Sequence, residues 1–152
     1  MSITAATNEH VDKINSVIQH LRIANDEISM GASASIGGGE RAYVGDIVVT
    51  RRNDRRLETT KGEPVRNRES WTVVAISDDG SLTVSSNGGS GQAPLPPEYA
   101  SEHVRLGYAA TEHGIQGETV DVGIELATVA TTRRGLYVGV TRGRDQNHVL
   151  VV

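Results

Sequence analysis

The chain has 152 residues, of which 37% are hydrophobic, and a formal net charge of −4. This length accommodates one ordinary domain, or one core domain with a small insert. The absence of cysteine excludes disulfides and thiolate metal sites. No apolar run approaches the roughly 18 residues of a membrane span, and no signal-peptide pattern is present, so we expect a cytoplasmic protein without a membrane partner.

The charge is unevenly distributed along the chain. Residues 41–68 carry eight Lys or Arg against four Asp or Glu, and residues 133–152 carry four against one. Residues 69–132 hold one Arg against nine Asp or Glu. Binding of nucleic-acid phosphates needs a local basic face rather than a basic protein, so the acidic total does not exclude it. The alternative is that the arginine-rich segments are simply solvated.

The first predicted element is a short strand over residues 2–6, followed by a helix capped by Thr7 or Asn8. Its apolar residues recur at helical spacing and predict one buried face: Val11, Ile14, Val17, Ile18 and Leu21. Residues 31–40 are nearly all Gly, Ala and Ser, a composition that predicts a mobile loop.

Strand-like patterns follow at residues 42–51, 71–76 and 81–85, separated by turn signals. They predict a small antiparallel β unit. A Gly/Ser/Pro-rich stretch at residues 87–97 then leads into a short helix near residues 98–102.

Strands and helices alternate in the last third of the chain. Strands are predicted near residues 104–109, 120–126 and 148–152, and helices from Gly114 and over residues 133–142. Such alternation is typical of a parallel sheet. The predicted fold class is therefore α/β with a β-rich insert, divided into three parts: residues 1–40, 41–98 and 99–152.

Two stretches in the last third carry the most specific functional signal. GYAATEHGIQGETVD (residues 107–121) and LYVGVTRGRDQNHVLVV (residues 136–152) resemble motifs V and VI of superfamily 1 helicases. Matches in order at ATNEHVDKIN, VGDIVVTRRNDRRL, VRNRESWTVVAI and LPPEYASEHVRLGYA extend the likeness. The chain thus resembles the C-terminal motor half of conjugative relaxase-helicases of the TraI and TrwC type, whose relatives include RecD-like helicases.

This resemblance implies a RecA-like parallel sheet interrupted by a small barrel-like insert of the Src-homology type. It also implies that the chain is half of an ATP-dependent single-stranded-DNA translocase or helicase. Its expected partners are single-stranded DNA and the N-terminal RecA-like domain of the parent protein.

By the same resemblance, Arg142 is the arginine finger and therefore the catalytic residue. Its planar, permanently charged guanidinium suits the charge that phosphoryl transfer spreads over the γ-phosphate oxygens. The alternative is an arginine that neutralises the dipole at a helix C-terminus. Arg144 is expected to serve packing or phosphate contact.

Motif V supplies the remaining residues near the nucleotide and part of the DNA track. Thr111 and His113 are implied to face DNA, although the family usually has a basic residue where this chain has Gly114. A purely structural role is the alternative for His113, and the histidines lack the spacing of a metal site. The residues implied to bind nucleotide, besides Arg142, lie at a helix start: Gln116, Gly117 and Thr119.

Further candidates lie in and near the insert. The resemblance assigns Arg51, Arg52 and Asn53 to contact with the tracked strand or the nucleotide. Trp71 and Tyr99 offer π-faces on which bases stack, but Trp71 alternates within an apolar strand, which favours a role in the core.

The chain lacks the Gly-Lys-Ser/Thr loop that holds ATP phosphates and magnesium. Its only lysines are Lys13 and Lys61, and Gly37 to Gly39 precede Glu40. ATP and Mg²⁺ are therefore expected only together with the N-terminal motor domain, and the isolated chain is expected to be inactive. The alternatives are a non-catalytic nucleic-acid or protein-interaction module that retains the helicase fold, and a small peptide-binding barrel, which would leave motifs V and VI without a role.

Overall fold

The computed structural model describes residues 2–111, 120–127 and 143–151. In chain order its helices and strands are β1 (Ser2–Ala5), α1 (Asn8–Ala24), β2 (Ser33–Ser35), β3 (Arg41–Tyr43), β4 (Ile47–Thr50), β5 (Asp54–Glu58), β6 (Pro64–Val65), β7 (Ser70–Ile76), β8 (Leu82–Ser86), β9 (Gln92–Leu95), α2 (Pro97–His103), β10 (Val104–Leu106), β11 (Ala109–Thr111), β12 (Val120–Ala127) and β13 (Gly143–Val151).

Contacts divide the chain into two compact units. The first comprises Met1–Ile18 and Tyr108–Val152, and the second comprises Gln19–Gly107. The second unit extends beyond the predicted insert of residues 41–98, because β2 pairs with β3 and β10 pairs with β4.

The first unit contains a four-stranded sheet in the order β11-β1-β12-β13. All three strand pairs are parallel, with Ile3 beside Ala109 and Ile124. The predicted strands near 120–126 and 148–152 correspond to β12 and β13, although β13 begins earlier, at Gly143. The assignment of this sheet to the RecA type stays a prediction, as do the helices expected from Gly114 and over 133–142, which lie outside the described residues.

Small aliphatic residues form the core of the first unit. Ala5, Val11 and Ala109 are buried together, with Ile3 and Ile14 packed against them. Asn15 of α1 is also buried, and its side chain bonds the backbone of β11. Its Oδ1 accepts from Ala109 N at 2.6 Å, and its Nδ2 donates to Ala109 O at 3.5 Å.

The buried stripe of α1 differs from the predicted apolar face. Val11, Asn15 and Gln19, spaced four residues apart, are 1%, 2% and 9% exposed, whereas Val17 and Leu21 are each 57% exposed. The prediction was wrong for Val17 and Leu21. Two of the inward-facing positions are instead taken by Asn15, which bonds the backbone of Ala109, and Gln19, which bonds the Asp46 carboxylate.

The second unit is built on a five-stranded antiparallel sheet in the order β10-β4-β7-β8-β9. Inward-facing residues alternate along β4, β7 and β8, as the apolar patterns predicted. The antiparallel β unit is therefore confirmed. Its classification as a barrel of the Src-homology type stays a prediction.

Trp71 lies at the centre of the second unit and is fully buried. Its indole Nε1 donates to Thr50 Oγ1 at 3.2 Å, and the Thr50 hydroxyl in turn donates to Arg66 O at 2.6 Å. Around it pack large aliphatic side chains with almost no exposed surface: Val48, Val73, Leu82, Val84, Leu95, Val104 and Leu106. The preference for a core role of Trp71 is confirmed, so its ring is not available to stack on bases.

A buried carboxylate joins the end of α1 to the strands of the second unit. Asp46, which has no exposed surface, accepts from Gln19 Nε2 at 2.7 Å and from Tyr43 N at 2.9 Å. Gln19 Nε2 also donates to Arg41 O at 2.9 Å, and Arg22 Nη1 donates to Gly45 O at 3.1 Å. These bonds satisfy a charge whose burial would otherwise be costly.

Residues 31–40 were expected to be a mobile loop, but the structure shows β2 and a 3₁₀ turn at Gly37–Gly39. The turn packs closely on Arg105, whose Nε donates to Glu40 Oε1 at 3.0 Å. A Cβ on Gly38, which has φ +72°, would lie 2.7 Å from the Arg105 guanidinium. Glycine is required there by both the left-handed backbone and the close contact.

The Gly/Ser/Pro-rich stretch 87–97, for which no element was predicted, contains β9, which pairs with β8. One further prediction is corrected in the same region. The single strand expected over 104–109 is divided between β10 and β11, which belong to different sheets. The two strands are separated at Gly107, which approaches the backbone of Val48 so closely that a Cβ would lie 3.0 Å from the Val48 carbonyl carbon.

Among the described residues, neither α1 nor α2 is long and apolar enough to cross a membrane.

The bonds of Thr50 predict that its hydroxyl stabilises the second unit. Thr50→Val should lower the free energy of unfolding by about 2 kcal/mol, because it leaves the buried indole N–H without an acceptor. Urea unfolding followed by circular dichroism and by the fluorescence of Trp71, the one tryptophan in the sequence, measures this change. The control is Thr83→Val on β8, a half-buried site whose hydroxyl makes no hydrogen bond among the described residues. If Thr50→Val and Thr83→Val lower the free energy of unfolding equally, the stabilising role of the Thr50 hydroxyl is contradicted.

Candidate functional site

Two parts of the molecule carry predicted site residues. In the first unit, Thr111 ends β11 beside Ala5, the last residue of β1. Thr7 Oγ1 accepts from His10 N at 3.2 Å and so caps the start of α1. Paired strand ends followed by a helix start are typical of the ligand-binding edges of open parallel sheets. The other predicted residues of motifs V and VI lie outside the described residues: His113, Gln116, Gly117, Thr119 and Arg142.

In the second unit, Arg51, Arg52 and Asn53 follow β4, and all three are exposed. Helix α2 fixes the backbone of the first two. Arg51 N donates to His103 O at 2.7 Å, and the Tyr99 hydroxyl donates to Arg52 O. These three residues are therefore presented by backbone that is anchored on a helix, although their side chains face outward.

Asn53 is held by the chain segment that returns to the sheet at residues 67–68. Its Oδ1 accepts from Asn67 N at 2.8 Å, and Arg68 N donates to Thr50 O at 2.6 Å. Arg68 has φ +64°, a left-handed conformation that is uncommon for a side chain other than glycine. The chain therefore leaves the sheet at Thr50 and returns beside it.

We call residues 51–68 the arginine loop. Besides the two predicted arginines it exposes five further cationic residues that sequence reasoning did not single out: Arg55, Arg56, Lys61, Arg66 and Arg68. The excess of basic residues over 41–68 was visible in the sequence, but it did not show that seven of them are exposed on one segment that leaves the sheet and returns to it. Clustered exposed cations of this kind provide the local basic surface that phosphate binding needs.

One of these cations is neutralised within the loop. Arg56 Nε and Nη2 donate to the two oxygens of Asp54 at 3.1 and 3.0 Å. The hydrogen bonds from Arg56 lower the pKa of the Asp54 carboxyl. Arg56 is therefore less available to an anion than Arg55 or Arg66.

Between the arginine loop and α2 lies a groove of about 460 Å³, which we call the α2 groove. The loop and the helix contribute most of its lining: Arg52, Asp54, Arg56, Leu57, Pro96, Glu98, Tyr99, Glu102 and His103. Tyr99 and His103, one helical turn apart, have ring centroids 5.3 Å apart at an angle of 59°. Tyr99 is only 6% exposed, which limits the π-face that it offers for base stacking.

His103 contacts groups of opposite charge. Its Nε2 lies 3.3 Å from Arg52 Nη1 and 3.5 Å from Glu102 Oε2. A neutral imidazole with its proton on Nδ1 accepts from Arg52, whereas a protonated imidazole pairs with Glu102. The position of one proton thus decides which wall of the α2 groove His103 bonds.

The Tyr99 hydroxyl provides a test of how the loop is held. Tyr99→Phe should lower the free energy of unfolding by about 1 kcal/mol, because Arg52 O loses its buried donor. Tyr43→Phe is the matched control, because the Tyr43 hydroxyl makes no hydrogen bond among the described residues. Urea unfolding monitored by Trp71 fluorescence compares the two variants.

The same pair of variants has a predicted pH dependence. Burial raises the pKa of the Tyr99 phenol above its ordinary value of 10.0. The folded state therefore favours the neutral phenol, and its stabilising contribution is intact below about pH 10 and is lost as pH rises through the folded-state pKa. The difference between wild type and Tyr99→Phe should narrow above about pH 10. A difference that stays constant across this range would contradict the buried hydrogen bond.

The fold resembles part of solved Pif1 helicases. Pif1 from Bacteroides in complex with ADP-AlF3 and single-stranded DNA has a TM-score of 0.69 and 18% identity, over 97% of this chain and 39% of the helicase. Bacteroides Pif1 bound to single-stranded DNA has a TM-score of 0.64 and 18% identity, over 97% of this chain and 40% of the helicase. Pif1 from Candida albicans has a TM-score of 0.65 and 13% identity, over 98% of this chain and 44% of the helicase. The structure is thus a mixed α/β fold like part of these Pif1 helicases, and it spans less than half of each.

Sequence comparison adds two relatives, both uncharacterized proteins of Mycobacterium tuberculosis, from strains CDC 1551 and H37Rv. Each is 34% identical over 86 residues, which is 56% of this chain and 49% of the relative. The match therefore spans about half the length of these relatives. No protein-family model matches the chain.

Proposed function

We propose that this chain is the C-terminal motor half of an ATP-dependent single-stranded-DNA translocase or helicase, within a protein of the conjugative relaxase type. The observation that carries the proposal is the likeness of its fold to Pif1 helicases over 97% of its residues. Motifs V and VI in the sequence support the motor role. The insert matches of the TraI and TrwC type favour the relaxase branch over other superfamily 1 helicases.

In this proposal Arg51, Arg52 and Asn53 form part of the DNA track. Phosphate contacts require cations held in a fixed position, and the bonds from His103 O, Tyr99 and Asn67 fix the backbone that carries these residues. Arg55 and Arg66 extend the same exposed basic surface. The second part of the track is Thr111 with His113, after the end of β11.

ATP and Mg²⁺ belong, in this proposal, to the N-terminal RecA-like domain of the parent protein. The two lysines of this chain do not fit a phosphate cradle. Lys13 pairs with Glu9 at 3.0 Å on exposed α1, and Lys61 donates to Gly89 O at 2.7 Å in an exposed turn. The contribution of this chain to nucleotide contact is then Arg142, with Gln116, Gly117 and Thr119, as motifs V and VI imply.

The DNA track is tested by the salt dependence of binding. The chain should bind a labelled oligothymidylate more weakly as salt rises, and Arg51→Ala/Arg52→Ala should reduce the slope of log affinity against log salt by about 1.4, because two phosphate contacts are lost. Fluorescence anisotropy across a salt series measures both quantities. Lys13→Ala/Arg41→Ala removes the same charge from exposed cations outside the arginine loop and should leave the slope nearly unchanged.

Three outcomes separate the alternatives. A slope that falls only in the arginine variant supports the track. Equal reductions in both variants would mean that net charge alone drives binding. Absence of binding at low salt, with the fold intact, would contradict a DNA track on this chain and favour a protein-interaction module.

The division of the motor is tested separately by ATP hydrolysis. The pure chain should show no DNA-stimulated ATPase, because it lacks the Gly-Lys-Ser/Thr loop that holds the phosphates. A coupled-enzyme assay with and without oligothymidylate measures the rate. Sustained turnover by the pure chain that is lost in Arg142→Ala would overturn the half-motor proposal.

A further inference from the structure

The α2 groove has an apolar floor between charged walls. Leu57, Pro96 and Tyr99 contribute apolar surface, and Tyr99 is held rigidly by its bond to Arg52 O. Its volume of about 460 Å³ lies within the usual range of ligand pockets. A groove of this size takes a few side chains of a partner rather than a whole structural element.

The charges that line the α2 groove do not suit a polyanion. Two arginines stand against three carboxylates in its lining. Arg56 is paired with Asp54 through two hydrogen bonds, and Arg52 is directed to His103. With Arg56 paired to Asp54, Arg52 remains in the lining against the acidic wall formed by Glu98 and Glu102, so the groove carries a small acidic excess, although the outer face of the arginine loop is basic.

This acidic wall continues beyond the groove. Glu98 also lines a neighbouring depression of about 440 Å³, together with Asp78 and Asp79. Glu98 and Glu102 are exposed, and among the described residues the Glu98 carboxylate makes no hydrogen bond or ion pair, while its backbone oxygen accepts from Ser101 Oγ. Their spacing of four residues places both carboxylates on one face of α2. A cationic side chain that lies along the groove can thus meet one carboxylate or the other, while a phosphate is repelled.

We propose that the α2 groove binds an extended polypeptide segment of a partner protein in which a Lys or Arg stands next to a Pro or Leu. The apolar side chain packs on Leu57, Pro96 and Tyr99, and the cation pairs with Glu98 or Glu102. Proline and leucine suit this floor because it is rigid, largely apolar and shallow. Charge complementarity, rather than buried area, selects the occupant.

The proposal does not depend on the helicase function. Arg52 belongs both to the proposed DNA track and to the lining of the groove, whereas Glu98 and Glu102 belong only to the proposed peptide site. Variants of the two glutamates can therefore fail without affecting the DNA track.

Selection from a displayed library of short random peptides on the full chain tests the groove. Enriched peptides should combine Pro or Leu with an adjacent Lys or Arg. Their affinity, measured by fluorescence anisotropy, should fall about fivefold in Glu98→Gln/Glu102→Gln, since the exposed ion pair of the cation with either glutamate is lost. Binding of oligothymidylate to this variant should not weaken.

The matched control is Glu58→Gln/Glu63→Gln, which makes the same charge change at exposed sites that do not line the groove. Trp71 fluorescence and circular dichroism verify that each variant is folded. The proposal is overturned if no peptide is enriched, if enriched peptides carry no basic residue, or if both double variants weaken binding equally. Displacement of a selected peptide by oligothymidylate in both wild type and Glu98→Gln/Glu102→Gln would identify nucleic acid as the occupant instead.

Discussion

The second unit depends on the hydroxyl of one buried threonine. Thr50 ends β4, accepts from the indole of Trp71 and donates to Arg66 O, while its backbone N and O bond Glu69 O and Arg68 N. The arginine loop thus leaves the sheet and returns to it around one residue with no exposed surface. A loop of highly charged residues has little apolar area with which to order itself. Its order comes from this closure, from the antiparallel pairing of β5 with β6, and from the contacts of Asn53, Arg52 and Arg51 with neighbouring residues.

The closure also separates two electrostatic environments on a small structure. The outer face of the arginine loop exposes cations to solvent, whereas the inner face pairs Arg56 with Asp54 and lies opposite Glu98 and Glu102. In water at physiological ionic strength, interactions between exposed charges decay over roughly 8 Å. Surfaces on opposite sides of one loop can therefore attract partners of opposite charge.

The sequence predicted well those features that local pattern determines. Alternation placed Trp71 in the core, and the segment after Pro96 formed the expected short helix. Local pattern could not show that α1 buries Asn15 and Gln19, because their partners, Ala109 and Asp46, are distant in the sequence. Nor could it show that Gly107 separates two strands, since the cause is a close approach to the backbone of Val48. The predicted arginines Arg51 and Arg52 were found exposed, but Tyr99 and His103, which hold them, emerge only when α2 is placed beside the loop.

The two lysines bond nearby groups of this chain rather than forming a phosphate cradle. This bears on why a fold of this kind would act as half of a motor. Cleavage of a phosphoanhydride needs a cradle that holds the phosphates and a cation that stabilises the charge developing in the transition state. If both stood on one rigid body, hydrolysis would require no movement between bodies. Dividing them makes closure of two bodies a condition of catalysis, so that the step is linked to motion along DNA. Under the proposed function, this chain is the half that moves towards the nucleotide held by the N-terminal domain. The proposed peptide site in the α2 groove then gives that half a surface for a partner protein.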